Sequence, residues 1–250
     1  MVVLKSDNEI EKMYRVGQMT GLIMNYLTDQ IKEGITTLEI DRMARWKSKE
    51  VGAVPAFLGY AGFPKAICVS VNDEIVHGIP SKKRIIKNGD MVSLDFGLIY
   101  DGYYSDTART LIVGSADAAA RKLNEVTKEC LDRGINSANI DNRISDIGIA
   151  VENCATQNRF SVVREYVGHG IGKELHEDPQ IPNYRSDSAG VRIVAGMVLA
   201  IEPMINEGES DLYVKRNRWT VATKDHKRSS HFEDTVAITE DGVKLLTRIN

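Results

Sequence analysis

The chain has 250 residues, 42% of them hydrophobic and 27% charged, and a formal net charge of −3. That length and balance describe a soluble globular protein able to bury a sizeable core. The slight acidic excess argues against a DNA-binding or anionic-membrane surface, and no apolar run approaches the ~20 residues of a membrane span.

The N-terminal stretch "MVVLKSDNEIEKM" lacks the basic region and long apolar segment of a secretion signal. Three cysteines, Cys68, Cys130 and Cys154, form no CxxC pair and read as reduced thiols in a cytoplasmic protein. Ser6 opens a capping box with Glu9, which predicts a helix to about Glu33, stopped by Gly34. "TTLE" from Thr36 repeats the signal and predicts a second helix to about Val51. Strand patterns follow over about Ala66–Val71, Met91–Tyr100 and Tyr103–Val113. Ser115 then caps a predicted helix through "ADAAARKLNEVTKECLDRG", and a shorter helix covers about Ser145–Asn158. Strand candidates return at "FSVVREY", "GMVLAIE", "RWTVAT" and "TVAIT". Helix, helix, strands thus occurs twice, with halves of roughly 1–113 and 114–250 and no linker between them. A segregated order of this kind predicts an α+β fold in one domain, with sheets side by side and helices outside.

The stretch "SLDFGLIYDGYYSDTARTL" carries the first chemical signal. Val92, Leu94, Phe96 and Leu98 alternate with Ser93, Asp95 and Gly97, and Asp101-Gly102 is a hairpin turn pair. With those two residues at the turn centre, Tyr100 pairs with Tyr103 and Gly97 with Asp106. Asp95 and Asp106 then occupy one face as diagonal neighbours, roughly 7–8 Å apart. Glycine opposite Asp106 is expected to leave the approach between them open. Like charges at that range repel unless a cation or a proton lies between them.

Other acids and histidines stand in unusual places. In "YVGHGIGKELHEDP", His169 lies among glycines that suit close backbone approach better than a helix, and His176 follows. The pattern is not HExxH. Glu202 lies inside the apolar run "GMVLAIEPMI", which reads as a buried strand unless Pro203 ends it there, and Glu233 precedes another in "SSHFEDTVAIT". A buried carboxylate without a cation, base or proton costs several kcal/mol. His77 sits in the loop "NDEIVHGIP". Four carboxylates and one imidazole match the ligand inventory of a carboxylate-bridged pair of divalent metals, whose four positive charges four carboxylates balance.

With these segments in hand, the chain resembles the type I methionine aminopeptidases of the pita-bread fold. The resemblance runs from "EIEKM" to "DGVKLLT" and is strongest in "SVNDEIVHGIP", "GDMVSLDFGLIYDGYYSDTART", "GHGIGKELHEDPQIPNY", "GMVLAIEPM" and "FEDTVAIT". It implies two divalent metal ions (Co, Mn, Fe or Zn) on Asp95, Asp106, His169, Glu202 and Glu233, with Asp106 and Glu233 bridging. It implies that Glu202 also shuttles a proton and that His77 and His176 contact the substrate. It implies a methionine pocket drawn from Tyr60, Phe63, Cys68, Leu175 and Trp219. The expected substrates are the N-termini of newly made polypeptides with a small second residue, met by a monomer in the cytoplasm and at the ribosome surface. The chain departs from the family pattern at Leu175, where many members carry Phe, and at Asp234, where many carry His. Leu175 predicts a slightly wider pocket, and Asp234 an extra negative charge beside Glu233. A Xaa-Pro peptidase of the same fold is the nearest alternative, but such enzymes usually add a large N-terminal domain. A non-catalytic pita-bread module is the other, and such modules lose ligands that are all present here.

Overall fold

The computed structural model describes residues 1–249. Four helices hold the outer layer: α1 (Asp7–Gln30), α2 (Thr37–Glu50), α3 (Ala118–Asn136) and α4 (Ile144–Gln157). Both predicted capping boxes form, with Glu9 and Glu39 reaching back to the backbone N–H groups of Ser6 and Thr36 at 3.0 and 2.8 Å. Helix α1 ends at Gln30, three residues before the expected Glu33. The chain leaves it early to pair with residues 84–86, where Gly34 N–H donates to Ile86 O and Ile86 N–H donates to Ile35 O. Helix α3 is capped by Asp117, whose carboxylate accepts from Ala120 N–H at 2.8 Å. Ser115, the expected cap, is held in the preceding loop by donating its N–H to Asn88 Oδ1.

The central sheet has nine strands, paired antiparallel throughout. Its main path runs Val54–Pro55, Met91–Tyr100, Tyr103–Ile112, Glu233–Thr239, Val198–Ile201, Gly168–Gly170 and Glu177–Ile181. Cys68–Val71 also pairs with Met91–Tyr100, and Gly242–Leu245 with Glu233–Thr239. The strands of the first half and those of the second half therefore lie side by side in one sheet and meet where Tyr103–Ile112 pairs with Glu233–Thr239. The expected strand at "FSVVREY" shrinks to Ser161–Val162, which pairs with Ile205 and Asn206.

The 91–112 hairpin has the register read from its sequence: Tyr100 opposite Tyr103 and Gly97 opposite Asp106. Asp101 and Gly102 both take positive φ, 49° and 77°, as a tight two-residue turn of this hand requires. Helix α1 lays its apolar stripe of Ile10, Met13, Val16, Ile23, Met24 and Leu27 over the hairpin face that carries Ser105. Gly17 and Gly21 let this helix touch the backbone of residues 246 and 247, where any Cβ would collide with a carbonyl oxygen. The opposite face of the sheet, away from the helices, carries the chemistry.

Candidate metal centre and substrate cleft

Antiparallel partners directly opposite each other share a face of the sheet. One row across the sheet reads Cys68, Asp95, Ala108, Glu233. A neighbouring row on the same face contains Gly97 opposite Asp106, and Thr235 opposite Ala200 opposite His169. Thr235 Oγ1 stitches the row together by donating to Asp106 O at 2.7 Å and accepting from Asp106 N–H at 3.2 Å. Glu202 follows Ile201, the partner of Asp234, and so falls beside Glu233. The period of two thus places four carboxylates and an imidazole on one concave face. Small residues in both rows, Ala108 and Ala200, leave the space between them open.

All five line one cleft, and ligand atoms of Asp106, His169 and Glu233 lie within 4.8 Å of one another. Glu202 Oε1 lies 3.6 Å from His169 Nε2. Burial, opposed by hydrogen bonds to Asp106 and Cys68, lifts Asp95 to about 7. Burial first, then the negative charge of Asp95, raises Asp106 and Glu202 well above the usual carboxylate range. Glu233 rises for the same first cause, with Asp106 next. Asp95 Oδ1 and Glu233 Oε1 are buried with no hydrogen-bond partner among the described residues. Burial holds His169 neutral down to about 3. Its Nδ1 lies 2.9 Å from Gly170 O, which can only accept, so Nδ1 carries the proton and Nε2 offers a lone pair to the cluster. Crowded, buried, partly orphaned carboxylates with one oriented neutral imidazole fit a divalent cation, which would supply the missing partners and cancel the repulsion.

Every expected pocket residue lines the same cleft: Tyr60, Phe63, Cys68, His77, Leu175, His176 and Trp219. Phe63 and Trp219 meet edge-on with ring centroids 5.2 Å apart. Cys68 is fully buried, and burial followed by the charge of Asp95 keeps its thiol protonated, so it serves as a small wall rather than a ligand. His77 sits at φ 59°, a strained backbone conformation for a residue with a side chain. Burial, then His176, lowers His77 to about 4, and burial lowers His176 as well, so both face the cleft as neutral imidazoles. Tyr60 Oη lies 2.6 Å from His176 Nδ1.

One expectation needs correction, and a second holds with an added partner. Gly97 does not keep the path to Asp106 clear: a Cβ there would meet Ser105 O, Ala56 and Phe57. Its absence instead admits the 55–57 segment, whose Ala56 N–H donates to Gly97 O, and this brings Phe57 into the cleft wall. Asp234 does add a negative charge that helps to raise Glu233, as expected, but that charge is matched. The strand turns it to the far side, where Arg109 at 2.6 Å and Arg248 at 2.7 Å pair with it.

Phe57, Ala61 and His231 belong to the site and were not anticipated from the sequence. His231 is buried 3.8 Å from Glu202 Oε2, and neither ring nitrogen has a partner among the described residues. Its signal was in "SSHFEDT", two residues before Glu233.

Residues 11–240 match the model of metallopeptidase family M24. The methionine aminopeptidase of Clostridium acetobutylicum is 45% identical over 247 residues, covering 99% of each chain. The crystal structure of the Thermotoga maritima methionine aminopeptidase superposes with a TM-score of 0.97 at 42% identity and covers all of both chains. The prolidase of Pyrococcus horikoshii shares the fold alone, with a TM-score of 0.79 at 24% identity, and this chain spans 65% of it. The α+β architecture is therefore the pita-bread fold expected from the sequence. The chain belongs to metallopeptidase family M24, on its methionine aminopeptidase branch.

Proposed function

We propose that this chain removes the N-terminal methionine from newly made polypeptides as a single catalytic domain in the cytoplasm. In this reading Asp95, Asp106, His169, Glu202 and Glu233 hold two divalent metal ions, with Asp106 and Glu233 shared between them. The observation that carries the reading is that this ligand set and an aromatic, apolar slot open into one cleft. Because the ligands come from both ends of the chain, neither half can act alone. An oxygen-rich set with one imidazole suits Mn, Fe, Co or Zn.

When bound, the metals supply Lewis-acid polarisation of a carbonyl and activation of water. The protein's own groups do the rest. Phe57, Phe63, Leu175 and Trp219 clasp an unbranched side chain, and sulfur against the aromatic rings among them adds ~0.3–1.5 kcal/mol. His176 donates a hydrogen bond toward the carbonyl oxygen as negative charge develops there. His77, neutral and fixed by its loop, holds the scissile amide nitrogen. Glu202, beside the metals, would take a proton from the attacking water and pass it to the leaving amine.

Release of free methionine from a Met-Ala-Ala peptide tests the reading. Activity should vanish on chelation and return with added Mn²⁺ or Co²⁺. Full activity after exhaustive chelation would overturn it.

A further inference from the structure

We propose that Tyr60 is a positioning residue for His176 as well as a wall of the pocket: its hydroxyl sets which ring nitrogen of His176 carries the proton. The inference rests on the function proposed above, in which His176 faces the substrate carbonyl. It starts from the 2.6 Å contact between Tyr60 Oη and His176 Nδ1, made by rings whose centroids lie 5.3 Å apart.

The contact is built rather than incidental. Tyr60 stands on a single turn, Tyr60–Gly62, with Gly59 at φ 84°, Ala61 at φ 46° and Gly62 at φ 88°. The turn is closed by Gly59 N–H to Phe63 O and Phe63 N–H to Tyr60 O, each at 2.8 Å. Ala61 holds a backbone conformation that side chains disfavour, so the bracket keeps a strained shape that presents Tyr60 across the cleft. Behind His176 stands His169, ring centroids 4.3 Å apart. The His176 ring is thus held between a phenol and a metal-ligating imidazole.

A neutral imidazole carries one N–H, and its place decides what the ring can do. If Tyr60 donates its hydroxyl proton to Nδ1, the ring proton sits on Nε2 and can be donated to a developing oxyanion. If Nδ1 carries the proton instead, Nε2 is an acceptor and repels that charge. Only the first arrangement serves the reaction. Tyr60 also lines the slot for the first side chain, so filling the slot presses on the ring that sets His176. A wrong side chain then costs rate as well as affinity.

The test uses Tyr60→Phe, which keeps the ring and removes the hydroxyl. Zn²⁺ makes the full-length enzyme suitable for ¹⁵N NMR of its histidines. Wild type should have His176 in the Nε2–H form, and Tyr60→Phe should mix the two forms. On Met-Ala-Ala, kcat should fall about tenfold with KM changed less than about twofold, short of the 10²–10³ lost when an oxyanion donor itself is removed. In a His176→Ala background the same substitution should change kcat by less than about twofold, because the two residues act as one unit. An Nδ1–H form in wild type, or an unchanged kcat in Tyr60→Phe, overturns the inference. A wild-type enzyme that releases no methionine would overturn the proposed function, while the NMR spectrum would still decide the tautomer.

Discussion

Asp234 and Arg109 form a 2.6 Å ion pair on the side of the sheet turned away from Glu233, with Arg248 completing the charge match at 2.7 Å. Asp234 is fully buried and also accepts from Thr247 Oγ1 at 3.0 Å. Neighbours in a strand point to opposite faces, so two adjacent acids serve separate ends. Glu233 faces the cleft, and Asp234 ties the strand to Arg109 on the hairpin and to the C-terminal segment.

Asp234→Ala should therefore behave as a stability mutation. Removing one partner of a buried pair costs ~3–5 kcal/mol, and the partial exposure of both arginines places this one at about 3 kcal/mol. Denaturant unfolding of the chelated protein measures the loss. The number of metal ions bound at saturation should stay the same as in wild type.

Substitution on the cleft face should separate in the opposite way. Asp106→Ala or Glu233→Ala removes a carboxylate assigned to both metal ions, so paired binding should be lost. Calorimetric titration with Mn²⁺ reads this directly. Two unchanged binding events in either variant would sink the assignment of that carboxylate as a bridge.

Metal stabilisation should depend on pH. Asp95 stands at about 7 in the folded chain against 3.8 unperturbed, raised first by burial. A carboxyl raised on folding stabilises the metal-free protein fully below pH 3.8 and loses that contribution as pH rises through 7. Metal needs the ionised form, so protons compete with it below that value. The rise in melting temperature on adding Mn²⁺ should be larger at pH 8 than at pH 5.5. Equal rises at both values would mean that Asp95 takes no part in binding.

The hairpin was the most legible part of the molecule. Its alternation and its Asp101-Gly102 turn fixed the register, and the register put Asp95 and Asp106 on one face. Both capping boxes were equally plain, because they are local. Contacts far apart in sequence were harder to read. The 31–36 segment leaves its helix for a partner some fifty residues away, and Ser115 yields the cap to Asp117 because Asn88 holds its N–H. The same limit applied to the site. The family pattern picked out residues that line one cleft, yet the Asp234 arginines and His231 became visible only when strands from both ends of the chain met. Gly97 was read as open space, whereas its role is to admit Ala56 and Phe57.

His77→Ala should keep its metals and lose rate. Its strained backbone and its place in the cleft point to the substrate rather than to the ligand set. Calorimetry should give wild-type metal binding, with kcat on Met-Ala-Ala down by roughly 10²-fold, in the range for loss of one positioned catalytic group. Wild-type turnover would make His77 a loop residue only.

The most direct measurement is kcat/KM for Met-Ala-Ala against Val-Ala-Ala under the same metal loading. A slot of Phe57, Phe63, Leu175 and Trp219 takes a linear thioether and rejects a side chain branched at Cβ. The predicted ratio is at least ~100 in favour of methionine, near the upper range that an apolar pocket achieves. Comparable values for the two peptides would contradict a methionine slot and leave a general aminopeptidase in its place.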